Sequence, residues 1–407
     1  MSQPLPRLRM NLDFMPSPVP DHPGLLIRDP FHYSDATMIV PPPLVECLDM
    51  FDGERTEQDL RAALFQITGD LQVGALQQHL INSLREAGFL EDETYMEMRQ
   101  GRERSFAEAD TREPAHAGAA YPDDPEELTE LMRAYMTDEA PPERKERWMG
   151  LAAPHVSPEG GWQSYQAGYA GLDRERDADR TFVILGTSHY GHPERFGLTR
   201  KTWQTPWGEA QPDLRLMEEL QAKAPAAVQM EDYCIAVEHS VEFQVIFLQH
   251  LLGPNIKILP ILCGAYARSI YQGGMPEEDE GVKRFLDALG EIGAREGEKL
   301  FWVLGVDMAH MGRRYGDRFQ AIAGQDEMAE VAERDQRRIA SLNAGDARGY
   351  WDQVQYRQDD LKWCGSSPFY TFLRAMPNVR GELSRYQQWN IDEQSVVSFA
   401  GMRFHGV

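Results

Sequence analysis

The chain predicts an α/β protein, a central mixed sheet flanked by helices, preceded by a small α+β module. Three observations carry that expectation. The apolar runs MGLAAPH, TFVILGTSH, IKILPILCG and KLFWVLGVDMAH are short enough and apolar enough to be buried strands. Between and after them, PEELTELMRAYM, PDLRLMEELQAK, VEFQVIFLQHLL, VKRFLDALGEIG, MAEVAERDQRRIASL and SPFYTFLRAM have the apolar spacing of amphipathic helices. Strand and helix thus alternate over residues 114–407, which implies a sheet sandwiched by helices, with VVSFAGMRF as a closing, antiparallel strand.

The chain before this region divides into three parts. Residues 1–24, with Pro4, Pro6, Pro16, Pro18 and Pro20, read as an extended arm. Residues 25–95 form a small unit. Ala36 to Val40 is strand-like, PPPLVECLDMFDG is a helix entered through proline and stopped at Gly53, and Thr56 caps a second helix running to Thr68. Gly74 to Ala87 is a third helix, with Leu76, Leu80 and Leu84 on one face, and it ends at Gly88 before FLEDE. Three short helices with flanking strands have the size of a winged-helix domain. Residues 96–113, MEMRQGRERSFAEADTRE, are charged and weakly patterned, as a linker would be.

Composition narrows the function. The 407 residues, 42% of them hydrophobic, suffice for a substantial core. With 41 basic and 65 acidic residues the formal charge is −24, which disfavours nucleic acid and anionic membrane surfaces as partners. No apolar run approaches a membrane span and MSQPLPRLRM lacks the apolar segment of a signal peptide, so a cytoplasmic protein is expected. The four cysteines are far apart and form no CxxC pair, so neither a disulfide framework nor a zinc ribbon is indicated. Cys47 and Cys263 read as plain buried residues.

Four segments carry the chemistry. APHVSPEGG places His155, LGTSHYG places His189, DMAHMGRRYG places Asp307 and His310, and WCGSSPF places Cys364. The first three follow strand runs, and α/β sheets bind ligands beyond the carboxyl ends of their strands. Imidazoles joined by one anionic ligand hold a first-row metal and leave positions open. His155 and His189 are candidate ligands; Asp307 can ligate or orient the His310 ring, and His310 suits general acid–base work. Cys364 stands before a helix start, where a thiol is expected to ionise more readily and to serve as ligand or nucleophile. His22, His79 and His250 read as surface or structural histidines, and Trp203 to Trp207 as a pocket-wall turn.

In this order, AGAAYPDDPEELTEL, the PH turn, LGTSHYG, WQTPWGE, EHSVEFQVIFLQHLL, ILPILCG, DMAHMG and CGSSP resemble the MEMO family, called AmmeMemoRadiSam system protein B in bacteria. The resemblance covers residues 114–407 and implies a fold akin to class III extradiol dioxygenases. It implies His155, His189 and Cys364 as metal ligands, the cysteine standing where those dioxygenases have a glutamate, and His310 with Asp307 as the catalytic pair. Glu238-His239-Ser240-Val241-Glu242 is a further family motif; His239 and Glu242 are expected on one helix face as support for the site or substrate contacts, as is Tyr190. Two departures bear on the substrate: Ala120 in GAAY where the family has an aromatic residue, and PHVSP in place of PHAGY. Residues 25–95, FDGERTEQDL above all, resemble PqqD-like domains, which implies a peptide as ligand.

The expected function is therefore a metal-dependent oxidoreductase, using iron or copper on a small organic substrate, aromatic ones included. Replacing a carboxylate by thiolate alters the softness of the site, so catechol cleavage does not follow directly. The system name implies radical-SAM and AMMECR1-like partners. Two alternatives remain at this stage: a non-catalytic metal- or peptide-binding scaffold, and a zinc-dependent hydrolase with His310 as base.

Overall fold

Three short strands, Asp13–Pro16, Leu25–Arg28 and Thr37–Val40, pair antiparallel in that order at the start of the chain. The computed structural model describes residues 4–17, 19–136 and 148–407, which fall into two units, Met1–Glu108 and Ala109–Val407. In the first unit a 3-10 helix, Pro42–Met50, precedes helices Glu57–Thr68, Gly74–Glu86 and Glu93–Glu108. The Asp59 carboxylate accepts from both the backbone N–H and the hydroxyl of Thr56 at 2.7 Å, which starts the Glu57 helix where Thr56 predicted it. Its core gathers Leu5, Leu12, Ile27, Val40, Leu60, Leu64, Leu84 and Phe89.

Two predicted boundaries are corrected. The predicted extended arm, residues 1–24, does not stand apart from the next unit where it is described: Leu5 and Leu12 are core residues, and Arg9 is buried against Asp29 in a two-bond ion pair of 2.9 and 3.0 Å. Pro16 sits in an edge strand, where a missing N–H does no harm. The predicted linker 96–113 is helical as far as Glu108, with Tyr95 and Phe106 buried and the charges around them outward. Its apolar positions are too few for a periodic signal.

The second unit is built on a mixed sheet. Trp148–Ala153, Leu300–Gly305, Thr181–Thr187 and Lys257–Cys263 lie side by side and parallel. The closing strand Ser395–Gly406 is antiparallel to Trp148–Ala153, as predicted, and carries Val379–Asp392 and His310–Gly312 beyond it. Thr181–Thr187 is buried at every position, the pattern of a parallel strand covered on both faces. WQTPWGE forms the hairpin Thr202–Thr205 and Gly208–Pro212 near the far edge, and Trp203 packs over the Arg112 guanidinium at 4.5 Å. Among the described residues no helix is long and apolar enough to cross a membrane.

Register puts the ends of three strands in one row, since Gly305 pairs with Ala153 on one side and with Gly186 on the other. The two glycines leave a hollow into which Ser240 descends. A Cβ on Gly305 would overlap the Ser240 carbonyl, and one on Gly186 would lie 2.5 Å from its Oγ. Ser240 Oγ donates to the Thr187 carbonyl at 2.9 Å, and Gln244 Nε2 in the following helix, Glu242–Leu252, donates to the Pro154 carbonyl at 2.9 Å. Gly305→Ala is expected to destabilise the protein by about 1–3 kcal/mol through overpacking. An unchanged denaturation midpoint would show that the Ser240 loop does not rest on the sheet.

Candidate metal centre

His155 follows the Trp148–Ala153 strand by two residues, and Asp307 follows Leu300–Gly305 by two. They lock together: Asp307 Oδ1 accepts from the backbone N–H of His155 at 2.9 Å and of Val156 at 3.3 Å. His155 Nδ1 faces the Gly305 carbonyl at 2.9 Å, and a carbonyl can only accept, so the ring proton sits on Nδ1. Nε2 is left with its lone pair and looks toward Cys364 Sγ at 3.1 Å and Asp307 Oδ2 at 3.5 Å.

His189 stands beyond the neighbouring strand. Glu238, fully buried, receives its backbone N–H at 3.0 Å and faces its Nδ1 at 2.9 Å. The same carboxylate accepts from the backbone N–H groups of His239 and Ser240. The rings of His155, His189 and His239 form a triangle with centroids 5.0, 5.1 and 4.8 Å apart. His155 is buried, while His189 and His239 each expose about 25% of the side chain. The cluster therefore has a closed back and an open front.

Cys364 arrives on a strained turn. Arg357, Gln358, Asp359 and Lys362 all have positive φ, near 55°, a conformation that costs about 1–3 kcal/mol per residue and needs firm support. Support comes from Asp359 paired to Arg338 at 2.8 Å and from buried Asp335, which accepts from Trp363 Nε1, Tyr386 and Ser398 at 2.6–2.7 Å. Thr187 donates to the Cys364 carbonyl at 2.8 Å, and Gly365 N–H to the Asp307 carbonyl at 3.1 Å. The Lys362 carbonyl in turn faces His310 Nδ1 at 3.1 Å, with the Met308 carbonyl at 3.0 Å, so His310 too keeps its Nε2 lone pair.

Among the described residues, two groups of side chains bring ligand atoms within 4.8 Å of one another: His155, His189 and His239, and His155, Asp307 and Cys364. Two imidazoles whose Nδ1 atoms are held by a carbonyl and a carboxylate, a third imidazole beside them, and a thiol against the unprotonated Nε2 of His155 are donors that suit a first-row transition metal.

Residues 112–403 match the family model described as Memo-like protein. The chain belongs to the Memo-like family. A MEMO1 family protein of Aquifex aeolicus is 27% identical over 93% of this chain and 96% of its own length. The MEMO1 family protein TK1477 of Thermococcus kodakarensis is 30% identical, over 72% of this chain and 99% of its own. That of Thermus thermophilus, TTHA0924, is 28% identical over 65% of this chain and 74% of its own. The Aquifex match spans too much of the chain to be confined to residues 112–403, so it reaches into the N-terminal unit.

Within this Memo-like frame the predicted residues divide. His155, His189, Asp307, His310 and Cys364 all converge on the strand ends. Glu242 does not: His239 precedes the helix that Glu242 begins, and Glu242 turns to Arg112, Tyr121 and the backbone N–H groups of Ala115 and His116. It fastens residues 112–121, including His116, whose ring packs against His239. Tyr190 lies at the margin, its ring 6.1 Å from His189. The expected easily ionised thiol is also corrected, because burial and then Asp307 push Cys364 well above the ordinary thiol range. Glu238 is a further functional residue in the same EHSVE motif, and as a single acidic residue on a loop it carries no spacing signal in the sequence.

Burial, then the charge of His189, holds His155 down to about 3, and burial holds His239 well below the usual imidazole range. Burial opposes the charged form of His189 too, but the Glu238 carboxylate outweighs it and raises that ring. In the metal-free protein His155 stays neutral when folded and takes a proton when unfolded below about pH 6.5. Acidification from there toward about 3 therefore favours unfolding. His155→Gln is expected to flatten the loss of thermal stability between about pH 6.5 and 4; a melting-temperature profile parallel to wild type would contradict a buried neutral ring.

Proposed function

We propose that this protein is a metal-dependent oxidoreductase that holds iron or copper at the His155 corner and acts on a small organic substrate. The observation that carries the reading is that His155, its Nδ1 proton held by the Gly305 carbonyl, turns an unprotonated Nε2 to the Cys364 thiol within the same cluster as His189 and His239. Iron or copper bound there would supply one-electron and dioxygen chemistry.

The chain's own residues do the remaining work. His310 is kept neutral by burial, against the pull of Asp307, and its two carbonyl partners hold the proton on Nδ1. Its Nε2 can take a proton from an acidic hydroxyl, phenolic or enolic, and return it later. The Tyr315 ring stands edge-on at 5.0 Å and limits the swing of that imidazole. Burial pushes Asp307 up to about 6, and its hold on two backbone N–H groups keeps the Pro154–Val156 turn in place. The quarter-exposed rings of His189 and His239 mark the side from which substrate enters.

The N-terminal unit is assigned a peptide-binding role, with radical-SAM and AMMECR1-like proteins as the partners of the system. Its three-stranded sheet supports this, since an edge strand such as Thr37–Val40 can accept an added strand.

Elemental analysis of anaerobically purified protein is expected to find iron or copper near one ion per chain, and His155→Ala to lose it. Zinc in its place would favour hydrolysis, and no metal in the wild-type protein would end the redox reading.

A further inference from the structure

The chain around Glu238 is held by its backbone from residues 112–116. Arg112 Nε donates to the Ile235 carbonyl at 3.1 Å and its Nη2 to the Glu238 carbonyl at 2.7 Å, while His116 Nε2 donates to the Val237 carbonyl at 2.9 Å. The remaining arm of the guanidinium goes to Glu242, and both members of that ion pair are buried. Glu242 in turn accepts from the N–H groups of Ala115 at 3.1 Å and His116 at 3.0 Å and from the Tyr121 hydroxyl, which closes the circuit. Arg112 has a fixed base of its own, since Thr111–Arg112 pairs in parallel with Thr202–Trp203 and the Trp203 ring lies 4.5 Å from the guanidinium.

The circuit holds the open side of the site. The Glu238 carboxylate stands behind His189, the next ring along the chain is His239, and His116 meets that ring edge-on at 5.6 Å. Ser240 ties one end of this stretch to the Thr187 carbonyl, and Arg112 with His116 holds the other. A buried ion pair adds little stability over apolar residues of the same volume, whereas the planar fork of an arginine fixes the directions of its donors. We infer that Arg112 is a positioning residue for the site: through the Ile235 and Glu238 carbonyls it sets Glu238 behind His189, and with Glu242 it sets His116 as a wall of the entrance beside His239. This rests on the reading of His189 and His239 as the side from which substrate enters, and deepens it. A lysine at position 112 would keep the charge beside Glu242, but one ammonium nitrogen cannot serve two carbonyls and a carboxylate in the directions of the fork.

The test is carbethoxylation of the full-length protein by diethyl pyrocarbonate at neutral pH, with chelator present so that bound metal does not mask the rings. The rate at each histidine is read by peptide mass spectrometry, and His405 on the closing strand, itself partly buried, is the control for general loosening. Arg112→Lys is expected to raise the rates at His116, His189 and His239 by about tenfold, the change in local opening that loss of one or two buried hydrogen bonds gives, and to leave His405 unchanged. Glu242→Gln, which leaves the guanidinium without its counter-charge, is expected to raise the rates at His116 and His239. Arg112→Gly is expected to return toward wild-type rates on addition of methylguanidinium, and Arg112→Lys covers the case in which the glycine variant fails to fold. Wild-type rates at all three rings in Arg112→Lys, or a rise shared equally by His405, would overturn the positioning role. The rates are measured without metal, so a wild-type protein that binds neither iron nor copper would end the redox reading and leave this one standing.

Discussion

The arrangement of the site depends on one close approach, the descent of Ser240 onto Gly186 and Gly305. Those glycines are register partners on adjacent parallel strands, and neither has room for a Cβ beneath the loop. Because the loop reaches the sheet there, Glu238 comes to rest behind His189, and His239 comes level with His155. Gly305 serves twice, since its carbonyl also fixes the His155 tautomer. The same two positions thus serve both the packing of the loop and the orientation of the His155 ring.

Electrostatic order follows from that packing. Three imidazoles at the strand ends have an acceptor behind Nδ1: a carbonyl for His155, two carbonyls for His310 and the Glu238 carboxylate for His189. Burial outweighs the carbonyl partners and keeps His155 and His310 neutral, whereas the Glu238 carboxylate outweighs burial and raises His189. The thiol is held neutral by burial beside Asp307, so a metal bound by Cys364 would have to displace its proton. The strained turn before Cys364, braced by Asp335 and Arg338, supplies the fixed approach of the sulfur.

Much of this was readable from sequence because strand-end positions are marked by abrupt changes of composition. His155, His189 and Asp307 each follow an apolar run, and the sheet then brings those runs together in the expected fold. The closing antiparallel strand was equally clear from VVSFAGMRF. What sequence hid was set by tertiary contact. Glu242 looked like a partner of His239 by spacing alone, but its carboxylate turns to Arg112 and Tyr121. Glu238 gave no periodic signal because its role depends on how deeply a loop sinks. The thiol's resistance to ionisation reflects burial, which a helix-start motif does not report. In the N-terminal unit, Leu5, Arg9 and Leu12 lie in a proline-rich stretch that reads as extended, and only the buried Arg9–Asp29 pair reveals that it belongs to the core.

The most direct test of a centre built around the His155 corner is anomalous X-ray scattering from crystals of the full-length protein loaded anaerobically with iron. The account predicts one strong peak per chain at bonding distance, about 2.0–2.3 Å, from His155 Nε2. A peak elsewhere in the chain, with the His155 corner empty in iron-replete crystals, would contradict it.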